Sequence, residues 1–226
     1  MTDETRGLIG LDLSVASKEV IEVLIEDAAD AGIFGEIARA NTGRPEILHL
    51  LSEHHATPDE VRAYVAGILQ VPVKSSHEIQ KTDDHERVRG QSILQRIQSL
   101  TVGERIQLAM KGGREIRGIL IKDTNKEVML SVLENQKITE TEIEAIARSR
   151  SMPEEALRRI TKNREWMKNY AICLALVSNP KTPPGIAVTL VTGLKMKDLV
   201  ILENNKNVPE LVRTAAKRLL AVRKKN

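Results

Sequence analysis
The chain has 226 residues and a formal net charge of +3; 41% of it is hydrophobic and only 2% aromatic. Such a core is built from Leu, Ile, Val, Ala and Met, which suits closely packed helices and argues against a β-sandwich. Cys173 is alone, which excludes an internal disulfide and points to a reducing compartment.

Met1–Arg6 is acidic and has no apolar run of the signal-peptide kind. The longest apolar stretch, Ala171–Val177, is far too short to span a bilayer. A cytoplasmic protein without a membrane association is the expectation. Charge is unevenly spread: residues 1–70 hold thirteen acidic and five basic side chains, residues 91–226 fourteen acidic and twenty-five basic. That asymmetry speaks to partners, not fold.

An acidic helical block over residues 1–71 comes first. Val20, Val23, Leu24 and Ala28 fall on one face of a helix that Ser17 can cap, and Ala31-Gly32 ends it. A short turn over Phe34–Ala40 is followed by a helix from Pro45 to about Glu53. Another runs from Pro58 to Leu69, with Val61, Val65, Ile68 and Leu69 as its stripe. Residues 72–91, with Pro72, Ser75, Ser76 and a long polar run, read as a flexible linker.

Residues 92–226 read as a basic helical-repeat array. Helix starts are expected at Thr101, Gly113, Thr124, Thr139, Ser151, Asn163, Thr182, Lys195 and Asn207, most about a dozen residues apart. Thr101/Glu104, Thr124/Glu127 and Thr139/Glu142 have capping-box spacing. Thr57-Pro58, Ser151-Met152-Pro153, Thr182-Pro183 and Asn207-Val208-Pro209 repeat a second start signal. There a polar side chain is expected to cap a helix whose first turn tolerates proline. Ile116–Leu133 fits two helices better than a β-hairpin across Thr124-Asn125, because Val128, Met129, Val132 and Leu133 keep helical spacing. Ile143/Ile146/Ala147, Ala156/Leu157/Ile160 and Leu211/Ala215/Leu219/Leu220 are the expected buried stripes. Helices this short must lean on their neighbours to be stable.

Asn179-Pro180-Lys181-Thr182-Pro183-Pro184, followed by a Leu-containing helix, resembles the leucine-rich repeat variant unit. Leu51–Leu69, Ile146–Ile160 and Leu202–Leu220 are looser echoes. The resemblance implies an all-α fold of short helical repeats stacked into a right-handed α-solenoid, related in style to HEAT-like proteins. The Cys cluster of some members of that family is missing, so no cofactor is carried over, and the motif supplies no catalytic residue.

His49 and Glu53 stand at an i,i+4 spacing reasonable for metal ligands, with His54 and His55 just after them, but nothing fixes the further ligands a site needs and no H-E-x-x-H pattern exists. A polar helix end explains them. Lys111-Gly112-Gly113-Arg114 lacks the spacing of a phosphate loop and reads as a turn.

The candidate partner-binding residues are Arg114, Arg117, Arg148, Arg150, Arg158, Arg159, Lys162, Trp166 and Tyr170. The last two are expected four apart on one helix, Asn163–Val177. A line of cations on successive repeats can meet acidic side chains or track phosphates; it can also be a solvated face of i,i+4 pairs. Without a nucleophile–base constellation, the expectation is a non-enzymatic interaction module for a protein or peptide partner. Nucleic-acid binding is the alternative, in its remotest form a HEAT-like DNA glycosylase using Glu165. A third possibility is that the acidic block folds over the basic array.

Overall fold
The computed structural model describes residues 12–28, 31–72 and 93–224. Every regular element among them is helical, so the protein is all-α. The expected linker lies almost wholly outside the described residues. The chain forms two compact units that divide between Lys137 and Ile138. Residues 93–137 therefore share a unit with the acidic block, and the compact division falls well past the expected domain boundary at residue 92.

The first unit contains α1 (Lys18–Glu26), α2 (Gly32–Ala40), α3 (Pro45–Glu53), α4 (Asp59–Leu69), α5 (93–99), α6 (Val102–Lys111), α7 (Arg114–Leu120) and α8 (Lys126–Val132). The turn expected at Phe34–Ala40 is thus helix α2, whose Phe34 and Ile37 are fully buried. Ser17 caps α1 as its position predicts. The stripe of α4 is rotated from the expected one: Arg62, Val65 and Ala66 point inward and Ile68 outward.

The acidic block packs on the segment that follows residue 92, through α1 and α6. Ser17 Oγ donates to Glu104 Oε1 at 2.6 Å, and Arg96 Nη1 lies 2.7 Å from Glu26 Oε1. Asp27 Oδ2 accepts from the Ile116 N–H at 3.1 Å, so its carboxylate occupies the free amides at the start of α7. Gly113 makes that approach possible: a Cβ there would lie 2.7 Å from both the carbonyl oxygen and Oδ2 of Asp27. A Cβ on Gly112 would lie 2.5 Å from Ile116 Cγ2. The paired glycines are a close-packing device between helices, in keeping with the turn reading.

The second unit holds α9 (Glu140–Arg148), α10 (Glu154–Lys162), a 3-10 turn (Trp166–Lys168), α11 (Tyr170–Ser178), α12 (Pro184–Val191), α13 (Met196–Asn204) and α14 (Glu210–Arg223). Val177, Val191, Leu199, Leu202, Val212 and Leu220 lie in its hydrophobic core. The expected stripe of α14 is off by one residue. Val212, Ala216 and Leu220 are buried, Ala215 and Leu219 flank them, and Leu211 is left 59% exposed.

Two designs recur among the helix starts. Thr101 and Thr139 form the expected capping boxes with Glu104 and Glu142. Before α8 the capping side chain is Asn125, not Thr124. At α4, α10, α12 and α14 the N-cap residue is the proline itself, Pro58, Pro153, Pro183 or Pro209, and no side chain caps the helix. The residue before each proline (Thr57, Met152, Thr182 or Val208) is buried instead. This is the position from which an apolar residue pins the incoming chain against the first turns. Thr182 Oγ1 donates backward to the Leu176 carbonyl at 2.6 Å, so it serves the preceding helix.

Helix ends are closed by side-chain amides and guanidinium groups, most of them buried. Asn135 Nδ2 donates to the carbonyls of Ala109 and Gly112 at 2.9 and 3.0 Å, and its Oδ1 accepts from the Lys137 N–H at 2.9 Å. Asn179, 44 positions later, repeats this on Ala147, Ser149 and Lys181 at 2.7, 3.0 and 2.9 Å. Asn125 and Asn169 cap α8 and α11 at the same 44-residue offset. Arg62 spends its guanidinium on the carbonyls of Ser52 in the last turn of α3 and of His54, His55 and Thr57 beyond it. Arg223 donates to Thr192 and Leu194 past the end of α12. Each such bond satisfies a carbonyl that the helix itself leaves open.

Candidate functional site
The nine candidate residues are divided between the two compact units. Arg114 is exposed at the first position of α7, but Arg117 is only 5% exposed and donates to the Gly112 carbonyl at 3.0 Å. Burial removes Arg117 from the candidate surface and gives it the carbonyl-closing role seen at Arg62. These two belong to the first unit, and the other seven belong to the second.

In the second unit the cations of α9 and α10 face solvent, several of them beside an acid of their own helix. Arg148 Nη2 lies 2.5 Å from Glu144 Oε1, and Arg158 Nη2 lies 2.6 Å from Glu154 Oε1. Lys168 Nζ lies 2.7 Å from Glu165 Oε2. Pairs of this exposed kind are worth only a few tenths of a kcal/mol, about 0.3–0.5 in a helix, yet they cancel local charge. Arg150, Lys162 and Arg164 are exposed and make no ion pair among the described residues. Arg159 is exposed at the i+4 position from Glu155.

Trp166 and Tyr170 do not share a helix. Asn163 Oδ1 accepts from the Glu165 and Trp166 N–H groups, and Asn169 Oδ1 accepts from Ala171 and Ile172. Two Asn caps thus split the expected helix into a 3-10 turn and α11. Trp166 is half-buried. Tyr170 is tied inward: its hydroxyl donates to the carboxylate of buried Asp198 and accepts from the Lys195 N–H at 3.0 Å. Lys195 Nζ sits 4.8 Å from the Tyr170 ring centroid. Burial and then the Asp198 hydrogen bond raise the Tyr170 pKa, so the hydroxyl keeps its proton through the physiological range. Tyr170 is a packing anchor joining α11 to the start of α13.

Among the described residues no group of His, Cys, Asp and Glu is arranged to hold a metal ion. The His54 and His55 ring centroids lie 4.6 Å apart with the planes tilted by 39°, and Phe34 lies 5.8 Å from His54. Cys173 is half-buried, donates to the Met167 carbonyl, and has its pKa raised by burial, which keeps it a thiol. No helix of the described residues is long and apolar enough to cross a membrane.

The surface that sequence reasoning passed over lies on α13 and α14. Met196, Val200, Ile201, Leu211 and Val222 are all exposed, Ile201 to 66%. Leu199 and Leu202 of α13 and Val212, Ala216 and Leu220 of α14 lie in the core instead. The signal was present but degenerate. Leu211/Ala215/Leu219 and Val212/Ala216/Leu220 are both apolar at i,i+4 spacing, so periodicity alone does not choose between them. Comparison with protein-family models, curated proteins and solved structures yields no match.

Proposed function
We propose that this protein is a non-enzymatic interaction module that docks a protein or peptide partner on the outer surface of its helices. The observation that carries the reading is the group of exposed aliphatic side chains on α13 and α14, which burial of a partner would remove from water. Asn41, Asn135, Asn179, Arg62 and Arg117 close helix ends, and Tyr170 holds Asp198. Arg114, Arg150 and Lys162 remain as exposed cations able to add electrostatic steering.

In this reading the short helices stack as a right-handed α-solenoid, as the likeness to leucine-rich repeat variant and HEAT-like units implies, and the module works in the cytoplasm. The Asn arrangement recurring after 44 residues supports a repeated unit. Small-angle scattering is expected to give a radius of gyration above the roughly 17 Å of a compact chain of this length.

Cross-linking of the intact chain in cells tests the function. Discrete protein adducts are expected; their absence, with a salt-sensitive nucleic-acid mobility shift in their place, overturns the reading in favour of phosphate binding.

A further inference from the structure
We infer that the outward surface of α13 and α14 takes an acidic amphipathic segment of a partner protein. This rests on the interaction-module reading and adds to it the site and the chemistry of the partner.

Helical spacing arranges the surface. On α13, Met196 and Val200 form one i,i+4 row, with Lys197 and Ile201 forming the row beside it. On α14, Leu211, Arg218 and Val222 are 7 and 4 residues apart and share a stripe. Each helix thus carries exposed aliphatic side chains together with exposed cations.

The charge there is positive on balance. Residues 195–224 hold eight basic and three acidic side chains. Of the acids, Asp198 is buried on Tyr170, Glu203 is half-buried on α13, and Glu210 is exposed at the first position of α14. Lys197, Lys206, Lys217 and Arg218 are exposed and make no ion pair among the described residues. Arg213 and Lys217 stand at i,i+4, a like-charge spacing that costs helix stability. On α9 and α10 the same spacing carries the Glu144–Arg148 and Glu154–Arg158 pairs.

Charge complementarity selects the occupant. A second copy of this surface would set cation against cation. A phosphate backbone would satisfy the lysines but leave the aliphatic rows without a partner, and no aromatic platform for bases is present on α13 or α14. An acidic amphipathic segment answers both features, with leucine-type anchors on the aliphatic rows and carboxylates on the cations.

The test uses the full chain and a fluorescein-labelled peptide with leucine at i, i+3, i+4, i+7 spacing and glutamate elsewhere. A scrambled peptide of the same composition, anionic phosphatidylserine vesicles and an oligothymidylate serve as competitors. Fluorescence anisotropy is expected to show binding to the patterned peptide and much weaker binding to the scrambled one. Ile201→Asp and the pair Lys217→Glu with Arg218→Glu are each expected to weaken binding about tenfold or more. All three positions are exposed, and unchanged circular dichroism checks that the variants fold. The charge-reversed variant is expected to regain affinity for a peptide carrying lysine in place of glutamate. Equal binding of patterned and scrambled peptides, or affinity indifferent to these substitutions, overturns the inference. So does full displacement by vesicles or oligothymidylate. If the peptide fails here while cellular proteins still cross-link from Arg150 or Lys162, only this inference falls and the interaction module stands.

Discussion

Asn179→Ala isolates the clamp that joins the end of α9 to the turn before α12. Asn179 is 3% exposed, and the substitution removes its two donated bonds, to Ala147 at 2.7 Å and Ser149 at 3.0 Å, with the accepted one from Lys181 at 2.9 Å. Each such bond contributes about 1 kcal/mol net, and a carbonyl left dry costs about 1–3 kcal/mol. The Ser149 and Lys181 groups are only part-buried, so water restores them; the Ala147 carbonyl is the one that stays unpaired. A loss of about 2–4 kcal/mol follows. Urea unfolding followed by the fluorescence of Trp166, the single tryptophan and a member of the same unit, measures it. Asn204→Ala is the control, because its side-chain bond to Val200 is exposed; a change within about 0.5 kcal/mol is expected. If Asn179→Ala costs no more than that control, the buried amide is not what holds these helix ends.

Gly113→Ala drives a methyl group into Asp27 and is expected to lose about 1–3 kcal/mol, whereas Gly118→Ala, where a Cβ meets nothing within 4 Å, gains about 0.5–1 kcal/mol in helix α7; thermal melts of the two variants compare them. Burial raises the Asp27 pKa above its ordinary value, so between the unfolded and folded values the native state holds the extra proton and stability falls as pH rises. Asp27→Asn removes that dependence, and its stability relative to the parent should improve from pH 4 to pH 7; a difference that is flat with pH refutes the assignment. Hydrogen bonding by Ser17 and Thr101 lowers the Glu104 pKa, so its contribution is present above its ordinary carboxylate range and is lost as pH falls through the lowered value. Glu104→Gln is expected to flatten that acid limb in the same melts. Tyr170→Phe leaves the buried Asp198 carboxylate without its donor and should cost about 2 kcal/mol by urea unfolding, while a cost near zero would show that water replaces the hydroxyl.

Local chemistry made much of the fold readable. Thr101 and Thr139 carry their own instructions, a hydroxyl and a Glu three residues on, and both boxes form. The prolines mark true helix starts, but the expected side-chain caps are replaced by a buried residue ahead of each proline, a tertiary contact with no local spelling. Arg62 and Arg117 look like solvent residues in sequence and are buried because carbonyls left open by a preceding helix need donors. The candidate surface was read from charge density; the alternative of i,i+4 pairs was as legible, since Glu144 and Glu154 each lie one turn before an arginine, and sequence alone does not rank the two. It also cannot show which of two equally apolar stripes on α14 faces inward, and that choice leaves Leu211 outside.

A photoreactive residue in place of Ile201, in the otherwise intact chain in cells, tests the docking claim most directly. The account predicts a discrete protein adduct that disappears when Lys217→Glu and Arg218→Glu are added, and whose cross-linked segment is acidic with aliphatic residues at helical spacing. An adduct to lipid or nucleic acid, or a protein adduct that survives the charge reversal, contradicts it.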